Sequence, residues 1–209
     1  AIAPVHLFGN ACDIDAVNAL AEAYNLKIIW DAAQAHLTKY NEKDVGSFGN
    51  AVCYSFYATK NMTTGEGGMV TSNDENFINR CILLKHQGQS KKYHHTVMGT
   101  NYRMTDMQAA IGLEQVKKIE NLTAKRRRNA SLLNEGLKDL PGVTVPFIEP
   151  LVQHSYHQYT ILLPGEAERN GLQQDLQENG IQSAINYPIP LHLQPAFHKY
   201  SKNIKLPVA

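Results

Sequence analysis

The sequence predicts an α/β fold with a mixed, mainly parallel sheet, followed by a small α+β domain, and three observations indicate it. Apolar segments at 1–7 and 26–30 flank a helical pattern, which is the strand–helix–strand unit typical of parallel sheets. A third apolar segment, 51–56, is followed by a lysine and a glycine-rich turn. A long helical pattern that begins at Asp106 separates these segments from shorter strand and helix patterns near the C-terminus.

Capping residues predict where the first two helices begin and end. Asp13 is a good N-cap for the first helix, and Asn25 suits its end. Asn73 or Asp74 would cap a second helix that runs to about His86.

The third helix is the longest, and we expect it to connect two domains. Thr105, with Gln108 three residues later, has the pattern of a capping box. The helix would run towards Leu140, with a break near Lys125, where the basic segment 125–128 predicts a solvated helix face.

The remaining elements complete a three-part organisation. We expect a polar loop over 87–102, a helix over 168–179 and strands over 68–72, 143–145, 156–163 and 181–187. The predicted parts are the remainder of a large domain, the connecting helix region and an incomplete small domain, at 1–104, 105–140 and 141–209.

Composition narrows the function classes. A net charge of +1 gives no field that favours nucleic acid or an anionic membrane. No segment approaches the roughly 18 continuous apolar residues of a membrane span. The three cysteines are odd in number and widely spaced, which fits reduced thiols in a cytoplasmic protein better than a disulfide framework.

Lys60 is the first candidate for chemistry, because it follows a buried strand and precedes a glycine-rich turn. Desolvation there disfavours the ammonium form and makes a free amine available for carbonyl chemistry. Asp31, at the end of another strand, can pair with a protonated pyridine nitrogen, and Gln34 can hydrogen-bond a ring oxygen. Ser55 can donate to a phosphate. Together these groups suit pyridoxal 5'-phosphate.

Two other readings of the sequence are weaker. The phosphate-binding loop of nucleotide triphosphatases is absent, since no G-x-x-x-x-G-K-[ST] pattern occurs. His86, His94 and His95 lack the spacing of a metal site, so we expect loop histidines and no metal.

Five motifs in order resemble the DegT/DnrJ/EryC1/StrS aminotransferases, which have the aspartate-aminotransferase fold (fold type I) and act on nucleotide-linked keto-sugars. They lie at 4–9 (PVHLFG), 31–36 (DAAQAH), 55–61 with 64–68 (SFYATKN, TGEGG), 101–104 (NYRM) and 190–195 (PLHLQP). The resemblance spans nearly the whole chain, but it starts in the middle of the family's large domain. We therefore expect a piece of a longer protein that retains cofactor weakly or not at all by itself.

The resemblance implies a role for each cofactor-site residue. Lys60 would hold pyridoxal 5'-phosphate covalently and carry the proton. Asp31 would pair with the pyridine nitrogen, Gln34 with the ring oxygen, and Ser55 with the phosphate. Asn101 would reach the phosphate of the neighbouring subunit, so that a homodimer shares its active sites.

Substrate contacts are implied for Arg103, Tyr187 and His192, although ordinary packing explains the last two equally well. For His6, packing or positioning is favoured. The chain departs from the family at Trp30, where an acid is common, and at Leu37, where glycine is common.

The implied activity is transfer of an amino group from an amino acid, with glutamate expected, to a nucleotide-linked keto-sugar for amino-sugar or surface-polysaccharide biosynthesis. Family members that dehydrate sugars usually have histidine at the position of Lys60, so the lysine argues against that activity. A cofactor-binding regulator without catalysis, or an inactive fragment, remains the alternative.

Overall fold

The computed structural model describes residues 1–201 and 204–206. Its helices are α1 (Ile14–Ala23), α2 (Glu75–Lys85), α3 (Asp106–Leu137), α4 (Glu166–Glu178) and α5 (His198–Ser201). Its strands are β1 (Ile29–Asp31), β2 (Lys39–Tyr40), β3 (Lys43–Asp44), β4 (Ala51–Ser55), β5 (Gly68–Thr71), β6 (Gln89–Lys91), β7 (His94–His95) and β8 (Val152–Gln153).

The main sheet has the strand order β1-β4-β5 and confirms the predicted α/β class with mixed pairing. β1 and β4 are parallel, whereas β4 and β5 are antiparallel. The segment 1–7 lies parallel to β1 through bridges at Ile2 and Val5, but it is not a continuous strand. Pro4 interrupts the ladder because proline has no backbone N–H to donate.

The core lies between α1 and the sheet. Asp13 caps α1 by accepting a hydrogen bond from the Ala16 N–H at 2.9 Å, as predicted. Ile14 and Trp30 have no exposed surface, and they pack with other apolar side chains of this core, among them Ala11, Ala21, Ile28, Ala32, Ala35, Tyr40, Val45 and Val52. Burial of this kind is the main favourable contribution to folding.

The caps of α2 and α3 are also as predicted, and Asp74 is the residue that caps α2. Thr105 and Gln108 form the capping box of α3. The predicted break near Lys125 is wrong, because α3 is continuous over 32 residues. The basic segment contains only good helix formers, with neither glycine nor proline to interrupt the helix.

Several strand predictions are wrong. The segments 143–145, 156–163 and 181–187 form no strands, and an isolated antiparallel bridge joins Thr144 to Leu162. The predicted loop over 87–102 instead contains the antiparallel hairpin β6–β7. Strands need partners that offer a ladder of hydrogen bonds, which an apolar pattern cannot specify by itself.

The chain divides into two compact units, of which the first is Ala1–Leu162 and the second begins at Leu163. This division differs from the predicted boundary at 140/141, and the assignment of functional domains stays a prediction. In the second unit, the described residues form α4, α5 and short 3-10 turns, without a strand. Among the described residues, no helix is both long enough and apolar enough to cross a membrane.

Candidate active site

Asp31 and Ser55 end two adjacent parallel strands, β1 and β4. Asp31 lies opposite Cys53 in the register, two residues before Ser55. The Ala32 N–H continues the pairing beyond β1 by donating to the Cys53 carbonyl at 2.8 Å. Both side chains are half-buried at the carboxyl edge of the sheet, which is where open α/β sheets bind ligands.

Lys60 lies in the turn that follows β4. Its backbone N–H donates to the Tyr57 carbonyl at 3.0 Å, and the Thr63 hydroxyl donates to the Phe56 carbonyl at 3.1 Å. The Phe56 N–H donates to the Gly67 carbonyl at 2.8 Å, which closes the loop before β5. The Lys60 side chain is half-buried, and the described residues include no ion pair that involves it.

Gln34 and Asp31 are oriented by backbone N–H groups. Gln34 Oε1 accepts a hydrogen bond from the Phe8 N–H at 2.6 Å, and Phe8 has a φ of 59°. Asp31 Oδ1 accepts from the Ala33 N–H at 2.9 Å. The Gln34 contact fixes which side of its amide carries the N–H donors.

His6 is a packed residue beside Asp31. It has no exposed surface, stacks on Trp30 with 4.8 Å between ring centroids, and accepts a hydrogen bond from the Cys12 N–H at Nδ1 over 3.1 Å. Burial lowers the pKa of His6 to about 4, although the Asp31 carboxylate acts in the opposite direction. His6 is therefore neutral at pH 7.

Two histidines near Lys60 were not singled out from the sequence. His36 is 5% exposed and packs against the rings of Tyr54 and Phe56, with centroids 5.4 and 5.9 Å away. Burial is the main cause that lowers the pKa of His36 to about 4, and the electrostatic effects of His157 and Lys60 act in the same direction.

Burial, followed by the charges of Lys60 and Arg126, also lowers the pKa of His157 to about 4. His36 lies within the motif at 31–36 and His157 within an aromatic-rich segment, so the sequence does offer both as candidates. Their shared position beside Lys60 depends on contacts between distant segments.

The turn after Gln34 is held by a buried hydroxyl pair. Thr38 Oγ1 donates to the Gly9 carbonyl at 2.8 Å and lies 2.9 Å from Ser155 Oγ. Gly9 has a φ of 94°, and a Cβ there would lie 2.6 Å from Ser155 Oγ, so this contact requires glycine. Leu37 has a φ of 58°, which explains why glycine suits this position in the family.

The prediction that the basic segment 125–128 of α3 is a solvated helix face is only partly right. Arg127 Nε donates to the His154 carbonyl and Nη2 to the Leu37 carbonyl, both at 2.8 Å. Arg126 Nη1 donates to the Tyr156 and His157 carbonyls, both at 3.2 Å. The sequence pattern predicts that the side chains of Lys125–Arg128 face solvent. In α3, those of Arg126 and Arg127 instead point inward and bind backbone carbonyls.

Asn101 lies on an exposed segment after the β6–β7 hairpin. Arg103 Nε donates to Asn101 Oδ1 at 3.0 Å, and Arg103 Nη1 lies 3.0 Å from His86 Nδ1. Arg103 is thus engaged with Asn101. The predicted contact of Arg103 with substrate stays a prediction.

Tyr187 and His192 belong to the second unit, away in sequence from the other candidates. Tyr187 is 62% exposed, and the His192 carbonyl accepts a hydrogen bond from Ser201 Oγ at 2.6 Å. Their predicted substrate contacts stay predictions.

Comparison with known proteins identifies close relatives. A pleiotropic regulatory protein of Geobacillus stearothermophilus is 43% identical over 202 residues, covering 94% of this chain and 53% of that protein. A dTDP-3-amino-3,4,6-trideoxy-alpha-D-glucose transaminase of Streptomyces venezuelae is 34% identical over 198 residues, covering 94% and 52%. The chain therefore spans about half the length of the curated relatives that it matches.

Comparison with solved structures also finds similar proteins. The crystal structure of Streptomyces venezuelae DesV, solved in complex with a ketimine intermediate, superposes with a TM-score of 0.90 at 33% identity, covering 94% of this chain and 53% of DesV. The model of the DegT/DnrJ/EryC1/StrS aminotransferase family matches residues 1–209. The chain belongs to the DegT/DnrJ/EryC1/StrS aminotransferase family.

Proposed function

We propose that the full-length protein transfers an amino group from an amino acid donor, such as glutamate, to a nucleotide-linked keto-sugar, with pyridoxal 5'-phosphate as cofactor. The observation that carries the proposal is the placement of Asp31 and Ser55 at one sheet edge, with Lys60 directly after β4. Its transaminase relative, named for a dTDP-linked amino sugar, supports this substrate class. The product would serve amino-sugar or surface-polysaccharide biosynthesis.

The residues present fit the cofactor group by group. Asp31 would hold the pyridine nitrogen, and Gln34, whose Oε1 accepts from the Phe8 N–H, would donate to the ring oxygen through its amide nitrogen. Ser55 would donate to the phosphate. Lys60 would bind the aldehyde carbon. Within residues 1–201 and 204–206, neither Asp31 nor Lys60 forms an ion pair.

Each of these residues has a definable part in the chemistry. When bound, pyridoxal 5'-phosphate supplies an electron sink for charge that develops at the substrate carbon. Asp31 would keep the ring nitrogen protonated through its opposite charge. Lys60 would take the proton from the substrate carbon and deliver it to the cofactor carbon. His36 and His157 are neutral at pH 7, because the pKa of each is about 4, and so would not compete as acids.

The proposed homodimer rests on the segment that carries Asn101. Arg103 donates to Asn101 Oδ1, which leaves the N–H side of the amide as the donor for a phosphate of the neighbouring subunit. Tyr102 and Met98 nearby are 78% and 95% exposed. A neighbouring subunit would cover these side chains in the proposed homodimer. We place the protein in the cytoplasm, as its reduced thiols suggest.

The test uses the full-length protein with pyridoxal 5'-phosphate, glutamate and dTDP- or GDP-linked keto-sugars, and measures 2-oxoglutarate and amino-sugar formation. Lys60→Ala should abolish both products. Asp31→Asn keeps an oxygen for the Ala33 N–H but removes the charge, so the rate should fall on the order of 100-fold. Lys43→Ala, at an exposed lysine on β3, is the control and should match wild type. Turnover that survives in Lys60→Ala would contradict the proposal.

A second candidate function is regulation without catalysis, because the 43% identical relative is named a regulatory protein. Such a protein would bind pyridoxal 5'-phosphate at the same residues. Cofactor binding that Lys60→Ala abolishes, together with no turnover of any keto-sugar tested, would favour this candidate.

A further inference from the structure

The residue after Lys60 joins its turn to a distant segment. Asn61 is 5% exposed, and its Nδ2 donates to the Ser155 carbonyl at 3.5 Å. Its Oδ1 lies 3.2 Å from His157 Nδ1. An amide oxygen cannot donate, so His157 must carry its hydrogen on Nδ1. This contact spans 96 positions of sequence and fixes the tautomer of His157.

The backbone that carries His157 is itself held from α3. Arg126 donates to the carbonyls of Tyr156 and His157, and Arg127 donates to the carbonyl of His154. Hydrogen bonds from a guanidinium are about twice as strong as those between neutral groups. The 154–157 segment is therefore fixed independently of Asn61, and it can act as a reference position for the Lys60 turn.

We propose that His157 is a positioning residue for Lys60: its Nδ1–H holds Asn61 and thereby the turn that presents the Lys60 amine. The proposal rests on the proposed function only in treating Lys60 as the lysine that binds the cofactor. The contacts that carry it, from Arg126 to His157 and from His157 to Asn61, are independent of that function.

A neutral imidazole suits this position for an electrostatic reason. Burial is the main cause that lowers the pKa of His157, and the positive charges of Lys60 and Arg126 lower it further. The ring thus donates one hydrogen bond at pH 7 without placing another positive charge beside Lys60. A lysine or arginine could donate to Asn61 but would repel the Lys60 ammonium.

The test compares His157→Leu with His157→Asn in the full-length protein. Leucine fills similar space without a donor, whereas the asparagine amide nitrogen can occupy the place of Nδ1. The first measurement is the rate at which formaldehyde and cyanoborohydride methylate Lys60 in cofactor-free protein, read by peptide mass spectrometry. The second is the affinity for pyridoxal 5'-phosphate.

In His157→Leu, we expect methylation of Lys60 several-fold faster and cofactor affinity about tenfold weaker, as for the loss of one buried hydrogen bond. His157→Asn should restore both to within about twofold of wild type. The rate at Lys43 should be unchanged in both variants. His198→Leu, at an exposed histidine on α5, should match wild type throughout.

Wild-type Lys60 methylation in His157→Leu would overturn the proposal, and so would equal changes in the leucine and asparagine variants, because the ring would then act only by packing. A nitrogen chemical shift that places the hydrogen of His157 on Nε2 would also overturn it. Wild-type protein that captures no pyridoxal 5'-phosphate would contradict the proposed function instead, while a methylation difference between the variants would still support positioning.

Discussion

Two regions of the first unit carry the candidate residues in different ways. In the Lys60 region (residues 6, 28–61 and 154–157), Trp30, Thr38 and Ser155 have no exposed surface. In the Asn101 region (residues 86–104), Tyr93 and Met98 are 81% and 95% exposed. Contacts within the chain fix the positions of the first set of residues, whereas the second set presents large side chains to its surroundings. The Lys60 region is therefore positioned from within the chain, whereas the Asn101 region exposes the side chains on which the proposed homodimer rests.

The largest expected difference between the two regions is in acid stability. His6, His36 and His154 are at most 5% exposed, and burial lowers the pKa of each to about 4. Between about pH 6.5 and pH 4, the unfolded chain binds protons that the folded chain does not. The free energy of unfolding should therefore fall with pH by about 1.4 kcal/mol per pH unit for each histidine.

Urea denaturation at several pH values between 7 and 4 measures this slope. His6→Asn is the informative variant, since its amide oxygen can still accept from the Cys12 N–H but cannot titrate. We expect the slope of its free energy of unfolding against pH to be shallower by about 1.4 kcal/mol per pH unit, the contribution of one histidine. A free energy of unfolding that stays constant over this pH range would show that the Lys60 region is not closed to water.

The next largest effect should come from truncating a buried side chain. Trp30→Ala removes a side chain with no exposed surface and its stacking on His6, so we expect a loss of about 3–5 kcal/mol in the free energy of unfolding. Met98→Ala is the matched change in the Asn101 region and should stay within about 0.5 kcal/mol of wild type. Equal losses, measured by urea denaturation, would remove the distinction between the regions.

Local sequence signals predicted the starts of the first three helices and the main sheet of the first unit. Helix caps are short-range patterns, and they lie at Asp13, Asp74 and Thr105. The succession of strand, lysine and glycine turn is short-range too, because each part depends only on residues close in sequence. These patterns located Asp31, Ser55 and Lys60 because parallel strands end at a common edge.

The rest depended on contacts between distant segments. The segment 156–163 has an apolar pattern, but it forms no strand, and the carbonyls of Tyr156 and His157 at its start accept hydrogen bonds from Arg126 of α3. β8 pairs with β2 across more than a hundred residues. No local pattern reveals that Arg126 and Arg127 turn inward, because only the partner carbonyls distinguish an inward arginine from a solvated one.

The smallest effect should separate two roles for Arg103. Arg103→Met removes the hydrogen bond to Asn101, so cofactor affinity in the full-length protein should weaken by about threefold to tenfold. A titration with pyridoxal 5'-phosphate measures it, with Arg80→Met at an exposed position of α2 as control. If instead the KM for the keto-sugar rises while cofactor affinity is unchanged, Arg103 contacts substrate, as the sequence resemblance implies.

The central claim is that Lys60 holds the cofactor at the edge formed by Asp31 and Ser55. The direct measurement is borohydride reduction of the full-length protein with pyridoxal 5'-phosphate, followed by peptide mapping of the lysine that gains the cofactor mass. We predict the mass on Lys60 in wild type and its loss in Lys60→Ala. Cofactor mass on another lysine, such as Lys39 or Lys43, with Lys60 unmodified, would contradict the assignment.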